Sequence, residues 1–195
     1  RAMVTDISDS SQKAIILYEL GDTYRVLPGN GLDNLHFALE SLFAALELAS
    51  EVNTPQLLAE ISDSLGLVLL YAPTINPQAM LERAAGLFDR ALALISEQQD
   101  PVYRATLLTN RAQVLTRLRY DDRKANISEA IDSLREAAGM FSESGQWVKY
   151  GECQSQLGQT LLDLAALGDR RLDEAEEYAR DAIEHLDTAG TQLQL

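Results

Sequence analysis

Apolar residues recur along the chain at intervals of three and four, the spacing of one helix face, and no stretch shows the alternation of a half-buried strand. The runs predict eight helices, at about residues 10–27, 32–51, 55–72, 77–98, 101–119, 127–144, 147–167 and 172–188. Punctuation between the runs agrees. Thr54-Pro55, Asn76-Pro77 and Asp100-Pro101 each place a capping side chain before a proline at the first helical position, where a missing N–H costs nothing. Asn126 with Glu129 has the spacing of a capping pair, and Gly145 and Gly168 suit helix C-termini. Gly29-Asn30-Gly31 reads as a flexible turn, since it lacks the Gly-Lys-Ser/Thr ending of a phosphate loop.

The helices repeat as pairs. A small residue stands at Gly21, Gly66, Ala112 and Gly158, at spacings of 45, 46 and 46, with Tyr24, Leu69, Leu115 and Leu161 three residues on. Five residues before it stand Ile16, Ile61, Leu107 and Cys153, which are expected in the core. A second signature, Ala-x3-apolar-x2-Ala, begins at Ala38, Ala84, Ala130 and Ala175, and always lies 17 or 18 residues after the first. A fixed register of this kind, with small residues facing each other, lets two helix backbones approach closely. One pair cannot bury its apolar face alone, so the pairs are expected to stack.

Leu20-Gly21-x2-Tyr24, together with the later Ala84-x3-Phe88-x2-Ala91, resembles the tetratricopeptide repeat, and the resemblance runs over about residues 10–188. It implies an all-α fold, a right-handed α-solenoid of four helix-turn-helix repeats at about 10–53, 54–99, 100–145 and 146–188, between tails at 1–9 and 189–195. The family's usual repeat is roughly 34 residues. The longer units here are similar to those of bacterial signalling proteins that carry caspase-like proteases or large ATPase regulators. Arg111 departs from the pattern, standing where the other copies have Leu20, Leu65 and Leu157.

In that family the first helix of each pair lines a concave groove that binds extended peptides or helices. Carried over by offset, the groove positions are Tyr18, Asp22 and Arg25; Asp63, Leu67 and Leu70; Thr109, Gln113 and Thr116; and Ser155, Gln159 and Leu162. The Lys, Asn and Arg clamp with which some members hold a chaperone's terminal carboxylate is absent, Arg25 being its sole candidate. The resemblance implies a non-catalytic protein–protein interaction module that binds a peptide, helix or domain on its concave face. The alternative is a regulatory or sensor domain of a larger signalling protein, binding a small ligand or signal peptide for an attached protease or ATPase.

Charge narrows the partners. With 16 Lys and Arg against 30 Asp and Glu the net charge is −14, so nucleic acid would bind against an unfavourable field. Divided by repeat, at residues 1–52, 53–99, 100–145 and 146–195, the sums are −5, −3, 0 and −6. The neutral third unit gathers Arg104, Arg111, Arg117, Arg119, Arg123 and Lys124. Such a patch could dock an acidic segment of a partner, with Arg117 in the contact; a solvated face with cations at a helix C-terminus explains it better, since charge runs are usually solvated. The longest apolar stretch, Leu65 to Ala72, is far short of the roughly 20 residues that span a bilayer. No signal peptide is evident, and a single cysteine fits a reducing compartment, so a cytoplasmic protein is expected, with no membrane partner.

Candidate chemistry is sparse. Cys153 and His185 lie about equally far from the turn near residue 170 and could form a thiol–base pair, but Cys153 occupies a core column of the repeat. His36 sits among apolar residues, and neither histidine has the company a metal site needs. Asn126-Ile127-Ser128 fits a glycosylation acceptor, but capping explains it better. Trp147, the single tryptophan, is expected to pack against Phe141, while Tyr18 and Tyr71 are open between core packing and a role as groove anchors. No catalytic residue, metal or cofactor is expected. The apolar closing helix, with Ile183 and Leu186 and no polar cap, suggests either a fragment of a longer protein or self-association through the terminal repeat.

Overall fold

A computed structural model describes residues 10–28, 31–95, 100–119, 122–168 and 172–192, and the side chains of 172 and 186–192 lie outside that description. Residues 1–9, Gly29, Asn30 and 193–195, on which expectations about the tails and a turn fall, are also outside it. Among the described residues the chain is all-helical: α1 (Ser10–Val26), α2 (Gly31–Glu51), α3 (Pro55–Tyr71), α4 (Pro77–Leu94), α5 (Pro101–Arg117), α6 (Arg123–Glu143), α7 (Trp147–Ala166) and α8 (Leu172–Gln192). Consecutive helices pack as antiparallel pairs, α1 with α2, α3 with α4, α5 with α6 and α7 with α8, as in a helical-repeat solenoid. The chain divides into two compact units, Arg1–Ile95 and Ser96–Leu195, each holding two of these pairs. Within them, α2 packs on α3 and α6 packs on α7.

Caps set the starts. Asn76 accepts a bond from the Ala79 N–H at 3.3 Å and Asp100 from that of Tyr103 at 2.8 Å, each before a proline that has no N–H to satisfy. Thr54 holds the corresponding place without capping: its hydroxyl is buried and has no partner. The sixth helix starts earlier than its spacing predicts. Asp122, not Asn126, is the cap, with its carboxylate accepting from the N–H groups of Lys124 at 3.0 Å and Ala125 at 3.2 Å, so Asn126 is already inside the first turn. Gly145 and Gly168 end α6 and α7 at φ +68° and +90°, the left-handed region that favours glycine. The last helix continues to Gln192, beyond the expected start of the tail at 189.

The repeat signature is the seam of each pair. Gly21, Gly66, Ala112 and Gly158 are buried, and opposite them Ala38, Leu42 and Ala45, then Ala84, Phe88 and Ala91, then Ala130, Leu134 and Ala137 are at most 1% exposed. In the last pair Ala175 and Ala182 are buried while Ala179 is exposed. A Cβ built on Gly66 would lie 2.7 Å from Cζ and 2.9 Å from Cε1 of Phe88, whose ring is fully buried, and one on Gly158 would lie 3.2 Å from the Ala175 carbonyl oxygen. The backbones are therefore as close as a missing side chain permits.

The column of Ile61, Leu107 and Cys153 is buried as expected, but Ile16 is 42% exposed, and Leu20 is 44% exposed where Leu65 and Leu157 are fully buried. The difference follows from neighbours. Ile61 has α2 against its helix and Cys153 has α6, whereas among the described residues no helix precedes α1.

Gly66→Ala, which drives a methyl group into the Phe88 ring, is expected to cost about 1–3 kcal/mol in urea denaturation. Gly86→Ala, on an open face of α4 with nothing within 4 Å, is expected to stabilise by about 0.5–1 kcal/mol. A Gly66→Ala protein as stable as the parent would show that the seam is not close-packed.

Candidate functional site

In the unit Arg1–Ile95, the end of α1, the start of α2 and the last two turns of α3 enclose a cleft of about 470 Å³. Its wall is mainly apolar, with Tyr24, Leu27, Leu32, Leu35, Leu67 and Tyr71. Leu32 is 69% and Tyr71 60% exposed, so the apolar wall of the cleft is open to water. Arg25 supplies the cationic edge. Its Nε donates to Asp22 Oδ1 at 2.8 Å, and the Ser64 hydroxyl donates to that same oxygen at 2.9 Å, which ties α1 to α3 beside the cleft. Tyr18 adjoins this cluster. Burial pushes its hydroxyl pKa up to about 12, and the charges of Asp22 and Glu60 push in the same direction.

A second, polar cleft of about 270 Å³ lies in the unit Ser96–Leu195, between α5 and α7 over Leu134 of α6. Gln113, Thr116 and Arg117 face Gln156, Gln159 and Asp163 across it. Gln159 Nε2 donates to Asp163 Oδ1 at 3.3 Å, and the Thr116 hydroxyl is turned back onto the Gln113 carbonyl at 3.0 Å.

The residues carried over as a groove are thus distributed by environment. Arg25 and Leu67 meet in the first cleft, and Gln113, Thr116, Arg117 and Gln159 meet in the second. Tyr18 and Asp22 form the polar cluster beside the first. Asp63 is half-buried, Ser155 is exposed and Leu162 is 47% exposed. Thr109 donates to the Ala105 carbonyl at 2.9 Å within its own helix. Leu70, at 6% exposure, belongs to the core and presents nothing to a partner.

The arginine patch divides in the same way. Arg104 pairs with Glu136 at 3.3 Å and Arg111 with Glu129 at 2.5 Å, both across the α5–α6 seam, and Arg111 also reaches Ser133 at 3.4 Å. These cations therefore serve the hairpin, while Arg117 and Arg119 are exposed at its end.

The thiol–base pair does not form as a dyad. Cys153 is 1% exposed and its S–H donates to the Leu134 carbonyl on α6 at 3.2 Å, whereas His185 Nδ1 sits 2.9 Å from the Asp181 carbonyl oxygen and its ring stacks on Trp147. Burial pushes the thiol pKa up to about 12, the wrong direction for a nucleophile. The rings in contact with Trp147 are those of Tyr150, edge-on at 6.2 Å, and His185; over Phe141 lies the Lys149 ammonium at 5.7 Å. His36 is exposed beside Phe37 rather than enclosed.

Sequence reasoning passed over Gln154. It stands in the column of Leu17, Ser62 and Leu108, which gives no clear signal because apolar and polar residues alternate there from copy to copy. Among the described residues no group of three or more His, Cys, Asp or Glu could hold a metal ion, and no helix is long and apolar enough to cross a membrane. A scan against protein-family models finds no match, and a search of curated proteins finds none.

Cys153 yields a pH dependence with a definite sign. Below the ordinary thiol value of 9.0 both folded and unfolded states keep the proton, so nothing changes; above it the unfolded thiol ionises while the folded one does not, and stability falls until about pH 12. In urea denaturation the slope contributed by this thiol should approach about 1.4 kcal/mol per pH unit above pH 9, and Cys153→Ala should remove that part. Iodoacetamide at neutral pH should label the thiol only once the protein is unfolded; rapid labelling of the folded protein would contradict its burial.

Proposed function

We propose that the chain is a non-catalytic interaction module of the tetratricopeptide kind, and that the cleft among α1, α2 and α3 seats apolar side chains of a partner peptide or helix. The paired helices and the recurring small-residue seam support the first half of that reading. The single observation that carries the second is the cleft's exposed apolar wall, with Leu32 and Tyr71 more than half open to water beside a cavity of about 470 Å³. Leaving such area wet is unfavourable by about 25 cal/mol per Å², and a partner that covers it recovers that amount. Arg25, held in place by Asp22, offers the edge of the same cleft a positive group for an acidic or carbonyl neighbour of the buried side chains.

The polar cleft with Gln113, Arg117 and Gln159 is less suited to affinity and better suited to register. Its amides and hydroxyls form hydrogen bonds whose net contribution is about 0.5–1.5 kcal/mol each, but they penalise a wrong partner by leaving groups unmatched.

Selection from a displayed library of random 12-residue peptides tests the reading. Enriched peptides should carry spaced leucine or aromatic residues, bind with micromolar affinity, and lose at least about tenfold in Leu32→Asp and Tyr71→Ala proteins, whose exposed positions leave helicity unchanged. Enriched peptides that bind both variants as tightly as the parent would rule out the cleft.

A further inference from the structure

The repeat leaves one of its own packing stripes bare. On α1 and the residue after it, Ile16, Leu20 and Leu27 are 42%, 44% and 45% exposed, one helical turn or two apart. The same columns on α7 are Cys153, Leu157 and Leu164, each at most 1% exposed with α6 packed on that helix, and on α3 Ile61 and Leu65 are fully buried with α2 packed on it. Identical register thus gives a covered face twice and an open one on α1. A face meant for water is normally made polar. Here the opposite has happened: Ile15, 46% exposed, widens the stripe where α3 has Glu60 and α7 has Glu152.

The covered copies show what fits. The helix on α7 is apolar at Ile127, Ile131, Leu134 and Ala138, a spacing of four, three and four, and α2 has leucine at all four corresponding positions. A second copy of this chain is a poor occupant. Its α8 carries an exposed Glu176 where α2 has Leu39 and α6 has the buried Ile131, and that carboxylate would be laid on an apolar surface. Charge opposes such stacking too, since residues 1–52 sum to −5 and residues 146–195 to −6. On α1 the charged neighbour of Leu20 is Glu19, which is exposed. The complement to this surface is therefore apolar along one stripe and cationic beside it.

We propose that a partner protein lays a basic amphipathic helix along the α1 stripe, in the place that α2 takes on α3 and α6 takes on α7. The inference does not rest on the cleft, whose wall includes neither Ile15, Ile16 nor Leu20. Burial of the stripe supplies affinity, and cations of the helix near Glu19 and the acidic first unit supply attraction that salt weakens.

The probe is a fluorescein-labelled peptide of residues 123–143 with Glu129→Lys, Asp132→Lys and Glu136→Lys, followed by anisotropy. It should bind the intact chain with a Kd below about 100 μM, and more weakly as potassium chloride is raised. Leu20→Asp should weaken binding at least about tenfold and Ile15→Glu about two- to threefold, with helicity checked by circular dichroism. Glutamate already stands in the Ile15 column on α3 and α7, so that variant keeps the test valid if Leu20→Asp does not fold. Leu32→Asp, in the cleft, should leave the affinity unchanged, which separates this surface from that one. Four results would overturn the proposal: no saturation by about 100 μM, unchanged affinity in both α1 variants, equal binding by a peptide that also carries Ile131→Ser and Leu134→Ser, or loss of binding in Leu32→Asp. Sedimentation of the chain alone should show a monomer at about 50 μM; a dimer that Leu20→Asp dissociates would give the stripe to a second copy instead.

Discussion

In three of the four helical pairs the first helix lacks a side chain where it meets the second. Gly21 lies under Leu42, Gly66 under the ring of Phe88, and Gly158 under the backbone of Ala175, each with less than the space a methyl group needs. That contact fixes how far one helix can slide or rotate on its partner, because a bulky residue on the second helix must fall opposite a gap on the first.

The two clefts form beside such seams. The apolar cleft exists because Tyr24 and Arg25 leave the seam just after Gly21, while Leu67 and Tyr71 leave the next one just after Gly66. The polar cleft is built on Ala112 and the residues that follow it. One repeated device therefore produces two chemically different hollows, according to which residues the repeat places beside it.

Helix number, pairing and seam were legible because each rests on a pattern repeated in every copy: the small residue, the apolar residue three further on, and the alanine signature 17 or 18 residues later. Features that depend on a single copy's surroundings were not. Ile16 shares a column with three buried residues but is exposed, since burial is decided by the neighbouring helix rather than by the side chain. Asp122 displaced Asn126 as the cap because both spacings were chemically sound and the earlier carboxylate reaches two N–H groups. Arg104 and Arg111 looked like part of a surface patch, yet their partners lie 32 and 18 residues away in sequence, respectively, beyond any local rule. Of the expected groove, Arg25 with Leu67 and Gln113 with Gln159 share cavities, while Leu70 is core, a distinction that helix periodicity alone does not draw.

The seam is tested most directly by a double-mutant cycle between Gly66→Ala and Phe88→Leu, measured in urea. If the close contact governs packing, shortening the ring makes room for the new methyl group, and the cost of Gly66→Ala should fall by at least about 1 kcal/mol in the Phe88→Leu background. Effects that add to within about 0.3 kcal/mol would show that the two positions do not constrain each other, and would contradict the account.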